Sequence, residues 1–181
     1  NASYDYQGKY YGQVSFRRDG SSVFGSNNRW GNFWSVGGKW RISEEEFLKD
    51  NDLLTNLALR ASYGTVGNQD IDWYAARGFY SAGYNYDSTP GIVPVSLNLP
   101  DLGWETSKKL NIGIDLTLAR RWNLTIDLYN EATSNMLFEL PISQVTGLSK
   151  VYQNIGSMRN RGVEIGLNGT ILQTKGWTWT A

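Results

Sequence analysis

Residues 10–47 read YYGQVSFRRDGSSVFGSNNRWGNFWSVGGKWRISEEEF, and this segment predicts two β-strands joined by a long polar loop. The first strand has an apolar face, formed by Tyr10, Gly12, Val14 and Phe16. Its opposite face is polar and is formed by Tyr11, Gln13, Ser15 and Arg17. The second strand repeats the pattern, with Trp34, Val36, Gly38, Trp40 and Ile42 opposing Phe33, Ser35, Gly37, Lys39 and Arg41. Successive side chains of a strand point to opposite faces, so each strand has one apolar side and one polar, cationic side. The intervening residues 19–32 are too rich in Gly, Ser, Asn and Asp to belong to a core.

The composition excludes several classes of protein. The 181 residues include 17 basic and 17 acidic side chains, so net charge does not indicate a nucleic-acid partner. Cys and His are both absent, which excludes disulfides, thiol chemistry, His-ligated zinc and His-dependent catalytic triads. The 14% of aromatic residues and the 20 Gly favour strands and turns. No apolar run approaches the roughly 18 residues of a spanning helix, which excludes only a helical membrane protein.

Five further segments alternate in the same way, and a sixth run begins at Trp177. The five are Ala2–Tyr6, Asn56–Gly64, Leu110–Leu118, Trp122–Tyr129 and Val163–Ile171. We therefore expect about eight strands, the first and last of them partial, because the sequence lacks an initial Met and ends within an alternating run. This indicates a piece of a longer polypeptide.

The connections between these strands differ in length. Those near Gly8, Ala119 and Lys175 are short, and after Ile42 we expect Ser43 to cap a short helix with three glutamates in its first turn. The polar segments 65–103 and 132–160 are long. Short connections at one end and long loops at the other are typical of an up-and-down antiparallel barrel of the outer membrane.

The distribution of charge favours lipid as the solvent of the apolar face. The middle of each apolar face is uncharged, and the charged residues that fall on the polar face are candidates for facing a barrel lumen: Arg17, Lys39, Arg60, Asp115, Asp127 and Glu164. Tryptophans of the apolar face lie near the short connections, as in an interfacial girdle: Trp40, Trp122, Trp177 and Trp179. A soluble antiparallel sheet also alternates, so that alternative stays open.

No set of residues predicts a catalytic, metal or cofactor site. Asp70 and Asp72 resemble a glycosidase pair only in type, since residues two apart on an extended segment need not face one substrate. The long segment 65–103 does carry aromatic rings that could stack on sugars: Trp73, Tyr74, Tyr80, Tyr84 and Tyr86. The alternative is that these rings pack the loops together or against a partner.

Four blocks of the sequence resemble the SusC/RagA family of TonB-dependent outer-membrane transporters, in the family's order. They are SFRRDGSSVFGSNNRWGNFWSVGGKWRISEEEF (Ser15–Phe47), LALRASYGTVGNQ (Leu57–Gln69), LPDLGWETSKKLNIGID (Leu99–Asp115) and NIGSMRNRGVEIGL (Asn154–Leu167). One departure is Trp34, where related sequences often carry Pro. The resemblance implies an all-β, up-and-down antiparallel transmembrane β-barrel of about 22 strands, of which residues 1–181 would supply about eight.

The resemblance also implies a function. A plug domain, a TonB-contacting segment and an N-terminal extension are expected in the whole protein but are absent from this chain. The family imports oligosaccharides or peptides with a SusD-like lipoprotein and with energy from the TonB complex, in the outer membrane of Gram-negative, Bacteroidetes-type bacteria. Neither an enzyme activity nor a cofactor is implied. The alternatives are a siderophore-type TonB-dependent receptor, or a small complete β-barrel or soluble β-sheet protein with a structural or adhesive role.

Overall fold

The fold is known from a computed structural model that describes residues 1–49 and 51–180, with the side chains of Thr146 and Gln173 excepted. Twelve strands make up almost all of its regular structure: β1 Ala2–Tyr6, β2 Tyr10–Gly20, β3 Trp30–Arg41, β4 Leu54–Asn68, β5 Tyr80–Tyr86, β6 Thr89–Pro94, β7 Glu105–Leu118, β8 Trp122–Ser134, β9 Leu137–Pro141, β10 Lys150–Asn154, β11 Ser157–Gln173 and β12 Thr178–Thr180. Two short 3-10 helices span Ile42–Glu44 and Gln144–Thr146. Within the described ranges, no helix is long and apolar enough to cross a membrane.

Eight of the strands form one sheet, in the order β1-β2-β3-β4-β7-β8-β11-β12. Every pair of neighbours is antiparallel, and apart from the two hairpins described below the order follows the chain. The sheet is open, with β1 and β12 at its edges. The predicted up-and-down sheet of about eight strands is confirmed.

The register places the apolar residues of neighbouring strands directly opposite one another. Across β4, β7, β8 and β11, for example, Leu59 lies opposite Ile114, Ile114 opposite Ile126, and Ile126 opposite Ile165. We call this side of the sheet the apolar face and the other side the polar face. Side chains of the apolar face are exposed, including Val163 at 59% and Ile165 at 70%.

The hydrophobic core lies among the long loops, away from the sheet faces. Its buried members, Phe24, Ala76 and Leu102, come from the loop after β2 and from both ends of the segment between β4 and β7. Around them pack Val23, Ile71, Ala75, Leu99, Trp104, Leu137 and Tyr152. We call this set the loop cluster. It occupies the long-loop end of the sheet, where 21–29, 69–104 and 135–156 connect the strands.

The structure differs from the sequence expectations in three respects. The strands are longer at the long-loop end than predicted, since β4 continues to Asn68 and β11 begins at Ser157. Each long segment contains a separate hairpin that the sequence analysis did not predict, β5–β6 and β9–β10. Ser43 does not cap a helix: it lies inside the 3-10 turn, where its side chain is buried and makes no capping hydrogen bond.

Candidate functional site

Four of the six predicted lumen-facing residues form one ion cluster on the polar face. Arg60 of β4 binds Asp115 of β7 through two hydrogen bonds, Nε to Oδ2 at 2.9 Å and Nη2 to Oδ1 at 3.0 Å. The same Nη2 reaches Asp127 of β8 at 3.1 Å. Lys39 of β3 approaches Asp115 at 3.9 Å. The cluster therefore ties four adjacent strands together, with each carboxylate held by a bidentate or shared cation.

Gly113 allows this arrangement. It lies between Arg60 and Asp127 in the register of the sheet. A Cβ atom there would come within 2.8 Å of Arg60 Nη2 and would also collide with the Asp127 carboxylate. The guanidinium can lie across β7 only because this position has no side chain.

The other two predicted residues lie outside the ion cluster. Arg17 pairs with Asp19 at 2.6 Å and lies 5.8 Å from the centre of the Phe33 ring. Glu164 is exposed and lies directly opposite Asp127 in the register of β8 and β11. All six residues share the polar face, but only Lys39, Arg60, Asp115 and Asp127 are in mutual contact.

At the long-loop end, polar contacts join three loops that are far apart in sequence. Asn154 accepts a hydrogen bond from the Gly103 amide and donates one to the Gly103 carbonyl, both at 2.8 Å. The amide of Gly25 donates to the Leu102 carbonyl at 2.9 Å. Tyr152 donates its hydroxyl to Asp72 at 2.8 Å, and burial together with this bond raises the pKa of Tyr152 to about 12. Asp72 thus serves as a structural acceptor.

The five candidate aromatic residues of segment 65–103 are all exposed, from Tyr74 at 51% to Tyr86 at 87%. Tyr80, Tyr84 and Tyr86 lie on β5 of the hairpin β5–β6, which we call the aromatic hairpin. A bulge at Gly83, with φ of 97°, shifts the register between Ala82 and Tyr84. Because one extra residue reverses the alternation, Tyr84 and Tyr86 share one face and Tyr80 lies on the other.

The remaining two candidates, Trp73 and Tyr74, precede the aromatic hairpin. Tyr74 makes an edge contact with Phe79 at 6.1 Å between ring centroids, and the Arg77 guanidinium lies 5.2 Å from its ring. Trp73 is 86% exposed. The structure therefore brings the five rings to one end of the molecule without gathering them into a single pocket.

At the short-turn end, the Glu45 carboxylate is the centre of a group of polar contacts. It accepts hydrogen bonds from the Tyr10 hydroxyl at 2.6 Å, the Trp40 indole at 3.0 Å and the Lys9 ammonium at 3.1 Å. These bonds favour the charged form and lower the pKa of Glu45 to about 2. The turn after β3 is thereby fastened to β2.

Sequence reasoning did not identify the residues that assemble the loops. Phe24, Leu102 and Asn154 lie in polar segments without periodicity, so no local pattern indicated their burial. Across the described part of the chain, no group of three or more acidic residues is placed to hold a metal ion.

Comparison with known proteins identifies the architecture. The sequence profile of the family described as TonB dependent receptor-like, beta-barrel, matches residues 1–181. Among curated proteins, TonB-dependent receptor P39 of Formosa agariphila is 44% identical over 98% of this chain and 17% of its own length. TonB-dependent receptor SusC of Bacteroides thetaiotaomicron is 36% identical over 98% of this chain and 18% of its own length.

A solved structure of the RagAB peptide importer superposes with a TM-score of 0.88 at 36% identity, covering 97% of this chain and 20% of that one. The chain thus spans about a fifth of the length of these relatives. These similarities confirm the resemblance to SusC and RagA that the four sequence blocks predicted. The chain belongs to the TonB-dependent receptor family, as a portion of its β-barrel.

Proposed function

We propose that this chain forms part of the wall of an outer-membrane, TonB-dependent importer of oligosaccharides or peptides that works with a SusD-like lipoprotein. The polar face lines the lumen, the apolar face contacts lipid, and the long loops lie on the side from which substrate arrives. The chain contributes a surface for passage and performs no catalytic step. A captured glycan or peptide moves along the polar face after the TonB complex displaces a plug supplied by another part of the polypeptide.

The observation that carries this proposal is the contrast between the two faces. Apolar side chains are exposed in rows across adjacent strands. Examples at the two sides of the sheet are Phe16 of β2, 66% exposed, and Ile165 of β11, 70% exposed. The ion cluster of the polar face lies on the opposite side of the same strands. Contiguous apolar patches of such extent are rare on soluble monomers, and the uncharged middle of this face suits a lipid-facing band.

The substrate class is inferred from relatives. One similar structure is named a peptide importer, and a 36% identical relative is SusC. Both likenesses extend along nearly the whole of this chain, loops included, and so support import of polymeric nutrients.

The assignment of the faces is tested by a pair of adjacent substitutions in β11. Ile165→Lys places a charge in the middle of the apolar face, whereas Glu164→Lys places the same charge on the polar face. A lysine facing the bilayer midplane costs about 2–4 kcal/mol. We expect the first variant of the full-length receptor to reach the outer membrane in reduced, heat-labile amount, and the second to insert normally. Equal insertion of both variants would show that lipid does not cover the apolar face.

Transport is tested in cells that carry the full-length receptor. Uptake of fluorescent oligosaccharide and peptide mixtures is compared between wild type, a receptor deletion and a strain without functional TonB. We expect uptake of one class to be lost in both mutants and restored by the receptor gene. Uptake that persists without TonB would exclude the proposed mechanism.

The aromatic hairpin is the proposed place of substrate contact within this chain. Tyr84 and Tyr86 are exposed on one face of the hairpin, where flat rings can stack on sugars or peptide groups. Substitution of both by Ala should weaken substrate binding while Tyr80→Ala, on the other face, has a smaller effect. Unchanged binding and uptake in the double variant would leave the hairpin with a packing role only.

A further inference from the structure

Four basic residues of the sheet lie on the apolar face, all at the long-loop end. In the register, Lys108 of β7 and Arg159 of β11 lie opposite Ala132 of β8 from its two sides. One row closer to the middle of the sheet, Leu110 and Arg161 lie opposite Asn130 in the same way. The fourth residue, Arg18 of β2, shares the phase of Val14 and Phe16 and stacks at 5.1 Å on Trp30.

The basic residues on the two faces of the sheet differ in their ion pairs. On the polar face, Arg17, Lys39, Arg60 and Lys109 each pair with a carboxylate at 2.6 to 3.9 Å. Within residues 1–49 and 51–180, no acidic residue forms an ion pair with Lys108, Arg159 or Arg161, all of which are exposed. Neighbouring like charges without a counter-charge are destabilising, so an external anion would be bound favourably here.

The height of these residues matches the headgroup region of a bilayer. On β7 the apolar face is continuous from Leu110 to Leu118, a span of eight steps of about 3.4 Å each, or about 27 Å along the strand. At the usual barrel tilt this corresponds to about 20 Å across the membrane, close to the apolar band of such barrels. Lys108 and Arg159 come directly after this band, and Arg161 is level with Leu110 at its edge.

The local packing allows the three side chains to converge. Ala132 lies between Lys108 and Arg159 in the register, and its methyl group is much shorter than the side chains on either side of it. Asn130 accepts a hydrogen bond from Arg159 Nε at 2.7 Å, which orients the guanidinium toward the row of Arg161. Two guanidinium groups, two residues apart on β11, and one ammonium group across β8 from them form a set of donors that suits a phosphate.

We propose that Lys108, Arg159 and Arg161 form a binding site for the phosphate of an anionic lipid headgroup in the membrane leaflet at the long-loop end. The phosphate accepts hydrogen bonds from Arg159 and Arg161, and Lys108 adds a third positive charge. The acyl chains lie below it on Leu110, Leu128 and Val163, which continue the apolar face toward the middle of the sheet. This site rests on the proposed function, because it requires the apolar face to contact lipid.

The site is tested with the full-length receptor in nanodiscs of phosphatidylcholine alone or mixed with phosphatidylglycerol. The variant K108Q/R159Q/R161Q is compared with K109Q, whose lysine lies beside Lys108 on the polar face and pairs with Glu131 at 2.9 Å. Phosphatidylglycerol retained by the released receptor is counted by native mass spectrometry. Each basic side chain near an anionic surface raises the affinity for that surface about fivefold. The triple variant should therefore bind phosphatidylglycerol about a hundredfold more weakly. K109Q should match wild type.

The outcomes separate this site from the proposed function. If wild-type receptor does not enter nanodiscs at all, the barrel-wall assignment is wrong and the site falls with it. If it enters but the triple variant retains as much phosphatidylglycerol as wild type, the headgroup site alone is wrong. Competition by inorganic phosphate at equal concentration would show a free-anion site and overturn the lipid assignment. If the triple variant does not fold, phosphatidylglycerol binding is measured instead for R161Q and for wild type over a range of salt concentrations. Binding that changes neither with the R161Q substitution nor with salt would also refute the site.

Discussion

Replacing Phe24 by Ala should release the long loops from one another while leaving the sheet intact. Phe24 is 2% exposed and packs against Trp104 at 4.9 Å between ring centroids. It joins the loop after β2 to the segment between β4 and β7, and Ala76 and Leu102 complete its surroundings. No other large side chain in the described residues is as fully buried.

The expected magnitude follows from this burial. Truncating a fully buried Phe to Ala lowers stability by about 3–5 kcal/mol, because hydrophobic transfer free energy is lost and a cavity remains. The long-loop end can open without unfolding the sheet, so this loss should appear as local opening. A change of 3 kcal/mol corresponds to about a hundredfold in the opening equilibrium.

Hydrogen–deuterium exchange of the full-length receptor in detergent measures this effect. The amides of Gly25 and Asn27, which donate to the Leu102 and Pro100 carbonyls, should lose about a hundredfold in protection. Amides of the β7–β8 ladder should keep theirs. Ile165→Ala, on the exposed apolar face, is the matched control and should leave the loop amides unchanged. Unaltered protection of Gly25 and Asn27 in the Phe24 variant would refute the view that the loop cluster is a cooperative unit.

Three other predictions concern the two ends and the polar face. Because hydrogen bonds lower the pKa of Glu45 from 4.5 to about 2, its contacts should be complete above pH 4.5 and be lost as the pH falls through about 2. The NMR resonance of the Trp40 indole N–H reports this loss. The Glu45→Gln variant should not show the transition. Gly113→Ala should destabilise the sheet by about 1–3 kcal/mol in denaturant titrations, whereas Gly37→Ala, where a Cβ meets only ordinary contacts at 3.6 Å, should have little effect. Tyr152→Phe should lower the free energy of opening of the long loops by about 1 kcal/mol in hydrogen-exchange measurements at neutral pH, because the hydrogen bond to Asp72 is lost. In wild type the same hydrogen bond should persist below pH 10 and be lost as the pH rises through about 12.

The sheet could be predicted from the sequence because its signal is local. A period of two residues is visible in each strand, and a common phase is enough to place Lys39 and Arg60 on the same face as Asp115. The strand ends were missed because beyond the apolar band both faces become polar. At Thr65–Asn68 and Glu105–Lys109 the backbone remains paired while the alternation of apolar residues has ended.

The loop cluster and the ion cluster required the structure for a different reason. Their contacts join residues far apart in sequence, such as Tyr152 and Asp72, and such pairs have no signature in one sequence. The face of Arg60 was predictable, but its choice of Asp115 and Asp127 depends on register and on the missing side chain at Gly113. The bulge at Gly83 likewise divides the tyrosines of β5 in a way that simple alternation does not anticipate.

The aromatic hairpin closes on itself, and this has a consequence for how such receptors can diversify. Its base is sealed by the Ser96 hydroxyl, which accepts from the Phe79 amide at 2.9 Å and donates to the Arg77 carbonyl at 2.8 Å. The loop cluster draws its buried residues from positions on either side, Ala76 and Leu102, and from Phe24. Exchanging residues 80–94 for a hairpin of another length or sequence therefore leaves the barrel wall and its loop core untouched, and lengthening a loop costs little entropy. Residues 80–94 can therefore change in length and sequence while the sheet and the loop cluster keep their contacts.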